Sequence, residues 1–168
     1  KFSSDNRWGN FPAAAAAWRI SDEDFLKDSK VISNLKLRAS HGITGQQDIS
    51  NPGIYLSTYR FGLSNSQFLF GNQIIQSTIP QPINPDIKWE ETATAELGID
   101  YGLWNNKFTG TLGVFQKKSK DLLFSSPLAD GTNFTNNIIK NIGELQIRGV
   151  EFTLNTEILN SEDFNWNV

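Results

Sequence analysis

The chain contains no cysteine, so neither a disulfide framework nor a thiolate metal site is available to it. Histidine is almost as scarce: His41 stands alone, and no carboxylate motif surrounds it as a zinc site or a Ser-His-Asp triad would require. No Gly-rich phosphate loop is present, and no window approaches the ~18–20 apolar residues of a membrane-spanning helix. The chain is therefore soluble, or it meets a membrane in another way. Charge of one sign is also missing. Fifteen Lys and Arg against 18 Asp and Glu leave a net charge of −3, and no basic stripe interleaves with aromatics, which argues against a nucleic-acid partner. Nothing near Lys1 reads as a signal peptide. The abrupt opening at Lys1 and the closing "FNWNV" suit a piece of something longer.

Aromatics are abundant: twelve Phe, five Trp and three Tyr among 168 residues, in a chain with only 38% hydrophobic residues. Their setting is alternation. In "ETATAELGIDYGLW", Ala93, Ala95, Leu97, Ile99, Tyr101 and Leu103 alternate with Thr92, Thr94, Glu96, Gly98, Asp100 and Gly102. Period two with one apolar and one polar face predicts a strand. Asn105-Asn106 follows, a pair that tolerates positive φ in a tight hairpin. "KFTGTLGVFQKKS" then alternates again. A two-residue loop sets Leu103 opposite Phe108, Ile99 opposite Leu112 and Leu97 opposite Val114, apolar against apolar. Phe115 breaks the pattern by falling on the polar face opposite Glu96. "SNLKLRASHGITG", "GVEFTLNTEI" and "FNWNV" alternate in the same way, and matching Ile158 with Trp166 requires an odd loop centred on Glu162.

The five alanines Ala13–Ala17 are the best helix formers, yet five residues are too few to hold a helix by propensity. Small side chains on both faces, with Pro12 at the start, predict a strand. A helical turn is expected after it, from Asp22 to about Lys27, with Ser21 and Asp24 as its start signal. Asp22, Glu23 and Asp24 suit the solvated first turn of such a helix. "NFT" at Asn133 matches a glycosylation acceptor, a three-residue pattern common by chance.

Between strands the connections run short (about Ser21 to Ile32), long (Gly45 to Glu91), short (Asn105-Asn106), long (Ser119 to Glu144) and short (around Glu162). Antiparallel strands so joined place every long loop at one end, the pattern of an up-and-down outer-membrane β-barrel. Strands of about 10 to 12 residues suit a tilted crossing of a bilayer. In that reading the apolar faces meet lipid, and Lys36, Arg38, Glu96, Asp100, Glu151 and Glu157 line a wet lumen. His41 is an interfacial side chain near the outer end. Trp18, Tyr101, Trp104, Phe108, Phe164 and Trp166 gather at the short-turn ends as an aromatic girdle. In the rival reading the same apolar residues fill the core of a soluble sandwich.

The phrases "WGNFPAAAAAWRISDEDFL", "ISNLKLRASHGITGQQDI", "NPDIKWEETATAELGIDYGLW" and "NIGELQIRGVEFTL" together resemble the SusC/RagA family of TonB-linked outer-membrane transporters. There a phrase like FP-x-x-S-x-x-W-x-x-S-x-E precedes LKLR-x-S-x-G-x-T-G, N-P-x-L-K-W-E-x-T and N-x-G-x-x-x-N-x-G-V-E. The likeness covers nearly all of the chain outside the loops. Departures are alanines where Ser is frequent, Ile87 for Leu, and Arg148 where Asn is common.

The resemblance implies an all-β, antiparallel barrel of roughly 22 strands with a plugged lumen, in the cell outer membrane of Bacteroidetes. It implies import of oligosaccharides or peptides, driven by TonB, with a SusD-like surface lipoprotein as partner. No enzymatic activity and no cofactor are expected. Residues 1–168 then form about six strands of one barrel domain, with long outer loops at about 45–91 and 119–144 and with the plug and TonB-contacting region absent. Candidate contacts to substrate or lipoprotein are the loop aromatics Tyr55, Tyr59, Phe61, Phe68, Phe70 and Phe134. Two rivals remain: a complete small barrel acting as anchor or adhesin, with "IYLSTYRF" and "QFLFGNQIIQ" supplying two further strands, and a soluble sugar-binding β-sandwich.

Overall fold

The computed structural model describes residues 2–49, 53–129, 131, 135–160 and 165–168. The strands are β1 (Ala13–Arg19), β2 (Ile32–Gln46), β3 (Tyr59–Phe61), β4 (Gln67–Phe70), β5 (Gln73–Gln76) and β6 (Thr78–Pro80). They continue with β7 (Glu90–Leu103), β8 (Phe108–Lys120), β9 (Leu123–Pro127), β10 (Asn137–Asn141), β11 (Glu144–Asn160) and β12 (Asn165–Asn167). The chain divides into two compact units. One comprises Phe11–Thr44, Thr92–Lys118 and Leu145–Val168; the other comprises Lys1–Asn10, Gly45–Glu91 and Ser119–Glu144.

The first unit is built on a six-stranded sheet in the order β1-β2-β7-β8-β11-β12. It is an open meander with β1 and β12 at its edges. The five alanines are strand, as expected: Ala13 to Arg19 pair in register with Gly42 to Lys36. This register puts Ala14, Ala16 and Trp18 on the face of His41, Ala39 and Leu37, and Arg19 on the face of Lys36. The ladder fits closely, since a Cβ added to Gly42 would lie 3.1 Å from that of Ala13.

The helical turn differs from expectation. A single 3-10 turn covers Ile20–Asp22, its N-cap Arg19 makes no side-chain cap bond, and Ser21 caps nothing. The Glu23 carbonyl accepts from Leu26 N and Lys27 N at 2.9 Å each, one turn that goes no further. The acidic side chains take separate partners instead of crowding a helix start. Arg19 pairs with Asp22 at 3.6 Å, Lys27 with Asp24 at 2.7 Å, and Trp18 Nε1 donates to Glu23 Oε1 at 2.8 Å.

The hairpin between β7 and β8 turns where the two asparagines predict it. Asn105 and Asn106 have φ of 57° and 62°, Trp104 joins them at 49°, and Lys107 N donates to Trp104 O at 3.3 Å. Between β11 and β12 the expected odd loop gives way to another device. Asn160 pairs with Asn165, Glu157 with Asn167, and Trp166 with Leu159 rather than Ile158. A bulge between Glu157 and Leu159 takes up one residue, which lets an even connection keep the faces matched. Glu162 itself lies outside the described residues.

The spanning strands are longer than the 10 to 12 residues expected: β2, β7, β8 and β11 have 15, 14, 13 and 17. The excess lies beyond the apolar stretch. On β8 the apolar face carries Phe108, Leu112 and Val114, then Gln116, Lys118 and Lys120. The ladder therefore continues where the greasy band has ended. Hydrogen bonding along a strand needs no change of register when its side chains turn polar.

The second unit holds the buried cluster. Phe2, Ile49, Ile54 and Ile87 pack together, with Tyr55, Trp89, Leu123 and Ile139 against them, and Phe2 stacks on Trp89 at 5.2 Å. The unit also carries three small two-stranded sheets, β9-β10, β3-β6 and β4-β5. "IYLSTYRF" and "QFLFGNQIIQ" thus pair locally and add nothing to the six-stranded sheet, which removes the basis for a complete eight-stranded barrel.

Candidate functional site

Three surfaces concern function: the two faces of the sheet and an arm of the second unit. On the polar face, residues 36, 38, 96, 100, 151 and 157 share one side of the ladder by their spacing. Three of them converge. Arg38 Nε lies 2.9 Å from Asp100 Oδ2 and 3.1 Å from Oδ1, while Nη1 lies 3.4 Å from Glu96 Oε1. The guanidinium crosses Gly98, where a Cβ would come within 2.9 Å of Nη2. Glycine at 98 is what lets the side chain lie down between the two carboxylates. These groups are partly exposed, Asp100 least.

Glu151 lies apart from that triad. It lines a depression of about 150 Å³ with Glu96, Thr94, Phe115 and Lys117. Lys36 sits beside Arg19 across the β1-β2 ladder, and Glu157 pairs with Asn167, so neither joins the cluster. Phe115, the exception to alternation, has a structural role: its ring covers Gly149 of β11, 2.6 Å from where a Cβ would be, and Lys117 Nζ lies 5.7 Å from the ring centre. An aromatic laid over a cross-strand glycine shields backbone that would otherwise face water.

The apolar face is uncovered. Leu97, Ile99, Leu112 and Val114 are 56%, 38%, 43% and 45% exposed, and Val150, Phe152 and Leu154 are exposed too. Among the described residues the buried hydrophobic side chains are Phe2, Ile49, Ile54, Ile87 and Ile138, all in the second unit. A sandwich would seal one face of the sheet beneath a second layer; among the described residues of the sheet's unit there is none. Near the tight turns Trp18, Trp104, Phe108 and Trp166 are each about half-exposed, with Trp104 edge-on to Phe108 at 5.6 Å. Tyr101 passes over Gly110 and donates to Thr153 O at 3.3 Å. Phe164 lies outside the described residues.

In the second unit, residues 59–80 form a long two-stranded arm. Tyr59–Phe61 pair with Thr78–Pro80, Gly62 N donates to Ser77 O at 2.7 Å, and Gln67–Phe70 pair with Gln73–Gln76. Residues 63–65 bulge out on one side only, since Ser66 O accepts from Ser77 N at 3.0 Å. Tyr59, Phe61, Phe68 and Phe70 all project from this arm and are exposed, as are Leu69 and Ile74. Tyr55 does not belong with them, because it packs on the buried cluster. Phe134 and Asn133 lie outside the described residues.

A clasp that sequence reasoning missed orders this unit. Asn141 Oδ1 accepts from Lys88 N at 2.9 Å, and its Nδ2 donates to Lys88 O and Asp121 O, both at 2.8 Å. Lys88 pairs with Asp121 at 2.9 Å, Glu90 accepts from Leu123 N at 2.6 Å, and Asn84 donates to Ile139 O at 2.7 Å. The phrases "NPDIKWEE" and "NIGEL" therefore meet each other, joining the two long connections. Their recurrence as phrases was visible; their partnership, 53 residues apart, was not.

No group of His, Asp or Glu that could hold a metal is found among the described residues. A meander with a wet charged face, an uncovered greasy face, aromatics at the tight turns and an elaborated long-connection end has the features of a transmembrane β-barrel wall. The family model "TonB dependent receptor-like, beta-barrel" matches residues 1–168, and the chain belongs to this family. It is 41% identical over 168 residues to the TonB-dependent receptor SusC of Bacteroides thetaiotaomicron, covering all of this chain and 17% of that protein. It is 34% identical over 165 residues to the TonB-dependent receptor P26 of Formosa agariphila, covering 98% of this chain and 16% of that protein. The chain thus spans about one sixth of the length of these relatives. Among solved structures, the RagAB peptide importer in its closed-closed state aligns with TM-score 0.81 and 23% identity, over 98% of this chain and 17% of that one. That likeness concerns the fold.

Proposed function

We propose that this chain is a wall segment, with its outer loops, of a TonB-dependent importer in the cell outer membrane that takes up oligosaccharides or peptides. One observation carries the reading: Leu97, Ile99, Leu112 and Val114 remain open on a continuous apolar face with no second layer of the sheet over them. Such a face is stable against hydrocarbon chains and costly in water. In this reading the six charged residues of the opposite face line the lumen, and the Arg38–Asp100–Glu96 cluster stiffens that wall. The exposed arm 59–80 meets a SusD-like lipoprotein or the substrate, through rigid aromatics suited to stacking or to packing on a partner. The segment transports and does not catalyse. TonB acts through the plug of the whole protein.

The test uses cells carrying or lacking the full-length protein, offered labelled neutral oligosaccharides and labelled oligopeptides. Uptake of one cargo class should depend on the protein and should collapse when the proton gradient is dissipated. Uptake of both cargos unchanged by deletion overturns the proposal.

A further inference from the structure

Part of the apolar face is hollow. Ala14 and Ala16 share that face with His41 and Ala39, and Ala95 occupies it on β7. Leu97, Val114 and Val150 stand around these methyl groups, and together they shape a groove of about 790 Å³. His41, Ala95, Arg148 and Val150 lie nearer the long connections than the tight turns, while Ala16, Ala39, Leu97 and Val114 stand at or near the middle of their strands. In the barrel reading the groove therefore runs from mid-membrane into the outer leaflet.

The rim of the groove has another character. Arg148 and Gln116 stand there, and the Gln146 amide oxygen, turned toward them, accepts from Arg148 Nε (3.2 Å), Arg148 Nη2 (3.0 Å) and Gln116 Nε2 (3.0 Å). In that amide orientation Nη1 of the guanidinium stays outside these bonds. Among the described residues Arg148 is exposed and has no ion pair. Arg148 is also a point of departure from the asparagine common in the resembling family. A cation on a lipid-facing wall is costly at the midplane and nearly free of cost near an interface, so this one belongs at headgroup level. Guanidinium and phosphate match in geometry as well as charge.

An apolar trough ending at a fixed cation suits an amphiphile with an acyl chain and a phosphate. We propose that the groove seats an acyl chain of a phosphorylated, multiply acylated glycolipid of the outer leaflet, with its phosphate on Arg148. The proposal rests on the apolar face meeting lipid. A helix of another protein would fill the trough but leave the cation without an anion.

The test adds lipid A, or its dephosphorylated form, to the full-length protein in mild detergent and counts bound lipid by native mass spectrometry. One lipid A should be retained by the wild type. Arg148→Gln should lower its affinity about tenfold, as should dephosphorylation of the lipid. The pair Ala16→Phe and Ala39→Phe, which fills the trough, should lower it as much, with folding checked by heat-modifiable gel migration. Unchanged retention in either variant overturns the proposal. A fluorophore at Leu112→Cys, quenched by brominated acyl chains, separates the failures: quenching with unchanged retention rejects the groove alone, and absence of quenching rejects the lipid-facing wall as well.

Discussion

Placing a charge on successive residues of one strand tests the assignment of faces. Thr111 and Leu112 are neighbours in β8, at nearly the same level along the strand as each other, and they project to opposite sides. Thr111 engages Thr153, with 2.7 Å between the hydroxyls, on the polar face. Leu112 is 43% exposed on the apolar face. In water, Arg at a half-exposed position changes stability by about 0.5 kcal/mol at most, and the two sites should differ little. Against a bilayer the costs separate. Arg on the lipid face near the midplane costs about 2–4 kcal/mol, a change of roughly 30- to 900-fold in the folded-to-unfolded ratio, whereas a lumenal Arg finds water. Leu112→Arg in the full-length protein should therefore lower the urea midpoint of the vesicle-folded barrel strongly. Thr111→Arg should lower it by about 1 kcal/mol or less, mainly through its lost hydroxyl bond. Equal effects of the two variants would refute the assignment.

Two further outcomes follow from side-chain contacts in the two units. Gly149→Val in the full-length protein should destabilise by about 2 kcal/mol, because its side chain meets the Phe115 ring. Phe115→Ala should relieve part of that cost, so a double-mutant cycle in urea should show coupling near 1 kcal/mol, and strict additivity would contradict the contact. Asn141→Ala removes three hydrogen bonds at the clasp. Hydrogen exchange of residues 121–143 should then quicken by about tenfold or more, with exchange in β8 and β11 unchanged. Equal protection in the variant would show that the buried cluster alone holds the loops.

Features within reach of a few residues were the readable ones. Alternation located β2, β7, β8 and β11, and Asn105-Asn106 located a turn whose left-handed backbone those residues tolerate. At the candidate site, the polar set on one face and the exposed aromatics Tyr59, Phe61, Phe68 and Phe70 were likewise legible. Tyr55 packs against the cluster of Ile54 and Ile87 while those four aromatics project, a difference that composition cannot carry. The turn after β1 was overestimated because its acids found side-chain partners, and no cap bond formed to extend it.

By itself the sequence determined the strands, their alternate faces and the order of long and short connections, because each depends on a local period or a local backbone preference. Tertiary structure alone decided why Phe115 lies on the polar side, which acids Arg38 bridges 62 residues away, and how Asn141 joins two loops. It also decided that, among the described residues, nothing of the sheet's own unit covers Leu97 and Leu112. Those outcomes depend on which distant segments become neighbours, and a two-residue period carries no information about that.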